Sequence, residues 1–115
     1  MHQRVHDRYS PRSTVQVINS LNGRAVGVLV NISREGFMIV SEGEHPSPGT
    51  IHQLQLIDHN SGDPDITLGA TCLWLDEANA SDSYWSGFQI IDISAKDREM
   101  LDNYIHSLGA SSSGA

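Results

Sequence analysis

The sequence has a single cysteine, Cys72, among its 115 residues. One cysteine cannot form an intramolecular disulfide, nor can it supply the paired thiolates of a zinc ribbon or a CxxC redox site. The six histidines do not form the HExxH motif of zinc peptidases. The sequence therefore predicts no metal site and no cofactor, and its cysteine usage is typical of a protein in a reducing cytoplasm.

Long hydrophobic runs are also absent. No stretch approaches the roughly 18 apolar residues of a membrane-spanning helix, and the N-terminus has no apolar segment like that of a secretory signal peptide. Both absences predict a soluble, cytoplasmic protein that does not insert into a membrane. A chain of 115 residues is expected to form one domain with its own core.

Basic residues are few and unevenly distributed. The formal net charge is −7 with seven Lys and Arg residues, which argues against a DNA- or RNA-binding protein because such binding needs many basic contacts to phosphates. Residues 1–36 nevertheless carry five arginines against two acids, a net charge of +3, whereas residues 37–115 carry two basic residues against twelve acids. This local positive charge favours a small anionic ligand over a long polyanion.

Short segments of alternating apolar and polar residues, separated by turn residues such as Asn22-Gly23, make up most of the chain. The predicted strands are residues 14–18, 26–32, 37–40, 51–57, 67–75 and 85–91. In the second strand we expect one face to be formed by alternate residues, namely Val26, Val28, Val30 and Ile32, with Gly27, Leu29 and Asn31 opposite. Six strands with short turns predict a mainly β fold, an antiparallel barrel rather than a βαβ fold.

One segment near the C-terminus has helical periodicity. Ser94 is the predicted N-cap, with Asp97 three residues later. Apolar residues then recur at helical spacing before Gly109, namely Met100, Leu101, Tyr104, Ile105 and Leu108. We expect this stripe to cover an open end or face of the barrel, and docking of a partner protein is the alternative. The predicted organisation is a polar leader (residues 1–13), a barrel with its helix (14–109) and a disordered tail (110–115).

The leader contains three arginines at a regular spacing, Arg4, Arg8 and Arg12. Pro11 excludes a helix at the preceding residue, so we expect the leader to be extended or mobile without a ligand. Arginine suits phosphate and guanine because its planar guanidinium donates two parallel hydrogen bonds and stacks on aromatic planes. The alternative is that these arginines are solvated charges with no ligand.

A second motif, Asn31-x-Ser33-x-x-Gly36, follows the second predicted strand. Asn, Ser and Gly are ordinary turn residues, so a purely structural turn is one interpretation. The alternative is that the Asn31 amide and the Ser33 hydroxyl face whatever the arginines bind, because the second strand leads back toward the leader. Trp74 is a further candidate, for stacking on a base, although a tryptophan in a strand is more often part of a core or rim.

With these motifs the sequence resembles the PilZ domains, which bind the bacterial second messenger cyclic di-GMP. The shared features are the Arg-x-x-x-Arg leader, the Asn31-x-Ser33-x-x-Gly36 turn, a mid-chain strand with Trp74, and the closing segment 87–94 before the helix. They follow one another in the family's order over nearly the whole chain. The resemblance implies a six-stranded antiparallel barrel of the split-barrel type with a C-terminal helix, on whose surface the leader wraps the ligand.

The resemblance also implies roles for individual residues. Arg4 and Arg8 would contact phosphates and guanine faces, with Arg12 as a third contact because Arg8 and Arg12 also fit the arginine pattern. Asn31 and Ser33 would bond to guanine edges. The glycine of the turn, Gly36, would let the backbone turn tightly or approach the ligand closely. The sequence departs from the common family pattern in having Val5, and not a second arginine, after Arg4.

The function implied is that of a receptor or adaptor, not an enzyme. Cyclic di-GMP would order the leader, and the reshaped surface would signal to an effector protein that the sequence does not identify. We expect a monomer or weak dimer. The alternative is a PilZ-like interaction module that binds no nucleotide, and the retained arginines favour the receptor. A hydrolase using Ser33 is not supported, because the sequence contains no nucleophile elbow.

Overall fold

The computed structural model describes residues 8–78 and 82–112, with residues 110–112 described as backbone only. Arg4 and the rest of residues 1–7 lie outside this range. The described part contains six strands and a helix: β1 (Val15–Asn19), β2 (Ala25–Ile32), β3 (Gly36–Glu42), β4 (Ile51–Asp58), β5 (Ile66–Glu77), β6 (Ser83–Asp92) and α1 (Ala95–Ser112).

All six strands pair antiparallel and form a closed barrel in the order β1-β2-β3-β6-β5-β4. Pairing of β1 with β4 closes the barrel, so none of the six described strands is left with an unpaired long edge. The prediction of a mainly β, six-stranded antiparallel barrel followed by one helix is confirmed.

The barrel interior is filled by aliphatic residues and two stacked phenylalanines, Phe37 and Phe88, whose ring centroids are 5.2 Å apart. Helix α1 adds three buried side chains, Leu101, Ile105 and Leu108, to the same core. The apolar stripe of the helix therefore packs on its own barrel, as the sequence predicted. Burial of these side chains in place of their exposure stabilises the fold by about 1.5–3 kcal/mol for each residue.

The start of α1 is capped by the predicted residues. The backbone N–H of Asp97 donates to Ser94 Oγ at 3.0 Å, and the Ser94 hydroxyl donates to the Asp97 carboxylate at 2.7 Å. The first bond is that of an N-cap serine, and the second joins the two side chains and does not engage the Ser94 backbone N–H as a capping box would. At its other end the helix continues past Gly109 to Ser112, so residues 110–112 of the expected disordered tail are helical backbone. Among the described residues, no helix is long and apolar enough to span a membrane.

The expected alternation in β2 is wrong. Leu29 and Ile32 are the buried residues of this strand, whereas Val28 is 38% exposed. The pairing register of β2 with β3 shifts between Leu29 and Asn31. A β-bulge adds one residue to one strand and so changes which side chains face the core. The bulge lets Leu29 and Ile32, which are three residues apart, both point inward.

Candidate ligand-binding site

The leader joins the barrel beside the end of β2. Tyr9 pairs with Ile32 through two backbone hydrogen bonds, in which each N–H donates to the other residue's carbonyl at 2.9 Å. The Tyr9 ring is half-buried, packs against the core, and lies against Gly109 of α1. This short bridge places the arginine motif next to the second motif.

Arg8 directly contacts Asn31. The Arg8 Nη1 donates to Asn31 Oδ1 at 3.0 Å across an exposed surface. Two residues separated by 23 positions in the chain therefore meet, because the Tyr9 bridge fixes the residue after Arg8 beside the residue after Asn31. The structure thus brings together one arginine of the leader and the first residue of the turn.

Arg12 lies elsewhere in this conformation. Its Nη1 donates to the Ser107 carbonyl of α1 at 3.3 Å. The guanidinium groups of Arg8 and Arg12 thus bond to different elements, β2 and α1. Arg4 lies outside the described residues, so its predicted role stays a prediction.

Ser33 is buried, with 4% of its surface exposed. Its hydroxyl donates to the Gly36 carbonyl at 3.2 Å, and its backbone N–H donates to the same oxygen at 2.8 Å. The Glu35 N–H in turn donates to Ser33 Oγ at 3.4 Å. In this structure the Ser33 hydroxyl stabilises the Asn31–Gly36 turn from within, and its predicted contact with a ligand stays a prediction.

Gly36 is required by strand packing. A Cβ at this position would clash with the backbone carbonyl of Phe88 on β6. Gly36 lies opposite Gln89, and the Ile90 N–H donates to the Glu35 carbonyl at 2.8 Å. The glycine thus permits close approach of the neighbouring strand, a reason that differs from the tight turn or ligand contact expected from the sequence.

The strand register extends the site across the outside of the barrel. Asn31 lies opposite Met38, Met38 opposite Gly87, and Gly87 opposite Trp74. Side chains of directly opposed residues point to the same side of a sheet. These four residues, which we call the outer row, cross β2, β3, β6 and β5. With strands about 4.8 Å apart, the outer row spans roughly 14 Å.

Trp74 and Gly87 form a complementary pair within the outer row. The indole of Trp74 covers Gly87 so closely that a Cβ on the glycine would clash with the ring. Trp74 is still 38% exposed, so part of its ring surface is open to solvent. Trp85 is 45% exposed but lies opposite Val40 and Asp76, outside the outer row.

The turn is also held from the side of α1. Arg34 makes a two-pronged bridge to Asp102, with Nε–Oδ1 at 2.9 Å and Nη2–Oδ2 at 3.2 Å. The hydrogen bond from Arg34 lowers the pKa of the Asp102 carboxyl, and the same bond raises the pKa of Arg34. Arg98, one helical turn before Asp102, donates to the Arg34 carbonyl at 2.6 Å.

Sequence reasoning missed three parts of this arrangement: Tyr9, the outer-row residues Met38 and Gly87, and the bridge from Arg34 to α1. For Tyr9 the available signal was an aromatic residue between two arginines of a polar leader. Met38 and Gly87 depend on strand register, which the sequence pattern did not supply. Arg34 and Asp102 are 68 residues apart, and no local pattern links them.

Several solved structures resemble this chain. YcgR from Escherichia coli in complex with c-di-GMP has a TM-score of 0.75 at 14% identity, over 99% of this chain and 49% of YcgR. The MrkH–c-di-GMP complex of K. pneumoniae has a TM-score of 0.76 at 15% identity, over 98% of this chain and 55% of MrkH. The Bacillus subtilis inhibitor of motility MotI/DgrA has a TM-score of 0.67 at 19% identity, over 90% of this chain and 49% of MotI/DgrA.

These likenesses establish a shared fold, and the chain spans about half the length of the structures it matches. No curated protein matches the chain. The profile of the PilZ domain, however, matches residues 2–107, which is nearly the whole chain. This match includes the leader, the turn, all six strands and most of α1. The chain belongs to the PilZ domain family.

Proposed function

We propose that this chain is a receptor for cyclic di-GMP and that the ligand binds on the outside of the barrel, between the leader and the outer row. The observation that carries the proposal is the hydrogen bond between Arg8 and Asn31, which joins the two motifs at one place. The family and the c-di-GMP complexes of YcgR and MrkH support this choice of ligand.

The chemistry of the two side chains suits a guanine nucleotide. Only Nη1 of the Arg8 guanidinium is used in the bond to Asn31, so its other N–H groups remain to donate to a phosphate or to guanine O6 and N7. Asn31 Oδ1 has two lone pairs. One accepts from Arg8, and the other would accept from a guanine N–H.

Arg4 is the proposed partner of Arg8. Arg12 bonds to α1 in this structure, whereas Arg4 precedes Arg8 by four residues in the leader. Because Tyr9 pairs antiparallel with Ile32, a leader that continues in extended form would carry Arg4 along the side of Ser33 and the turn, where it would close over a bound phosphate. Trp74, at the far end of the outer row, is the proposed surface for stacking a base.

The proposed output is a change of surface that a partner protein recognises, without catalysis by this chain. Among the described residues of the leader, the backbone is attached to β2 by the two-bond bridge at Tyr9, and the side chains of Arg8, Arg12 and Ser13 add hydrogen bonds to Asn31, Ser107 and Asp58. Ordering of such a segment by a ligand is an established kind of switch. We propose a cytoplasmic protein that acts as a monomer or weak dimer and binds an effector when loaded.

Isothermal titration with cyclic di-GMP tests this function. The account predicts saturable binding to the unmodified protein and no competition from GMP or GTP at equal concentration. Arg8→Ala should weaken binding roughly tenfold to hundredfold, because a charge-assisted hydrogen bond contributes about 1.5–3 kcal/mol. Asn31→Asp should bind within about threefold of the unmodified protein, since the carboxylate still accepts from Arg8 and from guanine.

The matched control is Arg24→Ala. Arg24 is also an exposed arginine of the basic N-terminal part, but it precedes β2, whereas Asn31 lies near the end of that strand. Seven residues of strand place it roughly 23 Å from Asn31 along the backbone. Its removal should leave the affinity unchanged. Absence of binding by the unmodified protein would instead favour an interaction module that binds no nucleotide.

A further inference from the structure

Helix α1 holds the Asn31–Gly36 turn through Arg34. Both the side chain and the backbone of Arg34 are bonded to α1. Its guanidinium binds the Asp102 carboxylate through two hydrogen bonds, and its carbonyl accepts from Arg98. Arg98 and Asp102 are one helical turn apart and within 3.9 Å of each other. Three hydrogen bonds thus connect one residue of the turn with one face of the helix.

The geometry of these contacts restricts rotation of the turn. A two-pronged pairing of guanidinium and carboxylate fixes the plane of both groups, and the bond to the Arg34 carbonyl fixes the peptide on the C-terminal side of that residue. The bonds of Ser33 to the Gly36 carbonyl make the turn a single unit. Arg34 is therefore connected to Asn31 through Ile32 and Ser33, and Ser33 is itself bonded within the turn.

The leader rests on the same helix. Arg12 donates to the Ser107 carbonyl, and the Tyr9 ring lies against Gly109. The two halves of the candidate site, the leader and the turn, consequently both contact α1, at residues 98–109. A shift of α1 would therefore change the position of Arg8 relative to Asn31.

We propose that Arg98 and Asp102 are positioning residues for the ligand site: they hold Arg34, and through it the turn, in the orientation that meets the leader. The inference rests on the proposed function for the identity of the ligand. By linkage, a ligand that binds the positioned turn must stabilise the docking of α1 to the same extent. Helix α1 would then report occupancy of the site to a partner.

The test combines ligand titration with amide hydrogen exchange in Asp102→Asn. This variant removes the charge and one acceptor of the bridge while keeping the size of the side chain. We expect cyclic di-GMP to bind roughly threefold to tenfold more weakly, which lies within the range in which residues remote from a ligand modulate affinity. In the ligand-free variant, the amides of Ser33 and Ile90, which bond to Gly36 and Glu35, should exchange at least threefold faster.

Three further variants separate positioning from general destabilisation. Glu99→Gln is the matched control, because it removes another carboxylate from α1 at an exposed position, and it should change neither measurement. Asp102→Glu retains the carboxylate, so its dissociation constant for cyclic di-GMP should be at most twice that of the unmodified protein. Arg34→Gln combined with Asp102→Asn should be no weaker than the weaker single variant, since residues that act through one another are not additive.

The possible outcomes are distinct. If the Ser33 amide exchanges hydrogen at the same rate in Asp102→Asn as in the unmodified protein, the proposal is overturned, whether or not the protein binds cyclic di-GMP. Faster exchange with unaltered affinity would also overturn it, because the bridge would then hold the turn without affecting the ligand. Faster exchange in a protein whose unmodified form binds no cyclic di-GMP would refute the receptor function and the positioning role, and leave only the structural link between turn and helix.

Discussion

The two halves of the candidate site differ in how they are built. The Asn31–Gly36 turn is held internally by Ser33, closed against β6 at Gly36, and bonded to α1 through Arg34. The described residues of the leader are attached by the two-bond bridge at Tyr9, by a part-buried bond from Ser13 to Asp58, and by exposed bonds of Arg8 and Arg12. The comparison indicates that the turn is a preformed half of the site and the leader is its adjustable half. A ligand would therefore reorder the leader and leave the turn in place.

The largest expected effect on stability comes from breaking the preformed half at Gly36. In Gly36→Ala the new methyl group meets the Phe88 carbonyl, which is backbone and cannot rotate away. Overpacking of this kind costs about 1–3 kcal/mol, and displacement of β3 from β6 should reduce ligand affinity at least tenfold. Urea unfolding and isothermal titration measure the two effects.

Gly109→Ala is the comparison variant on the leader's side. Its methyl group would lie 3.4 Å from the Tyr9 ring, an ordinary contact, and alanine within a helix is favoured over glycine by about 0.5–1 kcal/mol. The variant should be as stable as the unmodified protein or more so. Equal stability losses in both glycine variants would contradict the distinction between a closed turn and an adjustable leader.

A smaller effect is expected from loosening the leader at Tyr9. Tyr9→Ala removes a half-buried ring, so the loss of unfolding free energy should be about 1–2 kcal/mol, below the 3–5 kcal/mol of a fully buried aromatic residue. Affinity for cyclic di-GMP should fall roughly fivefold, and the Ile32 amide should exchange faster. Tyr9→Phe keeps the ring and should behave as the unmodified protein; a similar loss in this variant would assign the effect to the hydroxyl group.

Arg12 should matter less than Arg8. Its guanidinium bonds to the Ser107 carbonyl of α1 across an exposed surface, whereas the Arg8 guanidinium bonds to Asn31 of the turn. Arg12→Ala should therefore weaken ligand binding no more than about threefold, as measured by titration beside Arg8→Ala. A loss equal to that of Arg8→Ala would show that Arg8 and Arg12 form the functional pair.

The smallest effect is expected from pH. Arg34 lowers the pKa of Asp102 below its ordinary value of 3.8, so the bridge stabilises the protein above that value and is lost as the pH falls through the lowered pKa. The difference in unfolding free energy between the unmodified protein and Asp102→Asn should be constant from pH 8 to about pH 5. Urea unfolding across this range measures it, and a difference that disappears by pH 5 would contradict the bridge.

The sequence predicted the barrel, its six strands and the capped helix because these depend on local alternation and turn residues. It also identified both motifs of the candidate site. The bulge in β2 was not predictable, since Leu29 and Ile32 reach the core only through the pairing register with β3. The bridge between Arg34 and Asp102 was hidden for a similar reason, because it forms only when α1 packs against the barrel.

The burial of Ser33 shows a further limit of sequence reasoning. The motif allowed Ser33 to be either a structural turn residue or a ligand contact, and in the structure its hydroxyl bonds within the turn. A serine in a turn serves either purpose with the same sequence signature, and only the geometry of the folded turn distinguishes them. Gly36 is a comparable case, because a glycine is needed there to avoid a clash with the Phe88 carbonyl of the opposing strand, and not because of the conformation of its own turn.

The central claim is that the leader arginines close on cyclic di-GMP held against the outer row. Its most direct test is isothermal titration of cyclic di-GMP into the double variant Arg4→Ala/Arg8→Ala, with Arg24→Ala as the control. The account predicts no measurable binding to the double variant at concentrations that saturate the unmodified protein and the control. Tight binding retained by the double variant would contradict it.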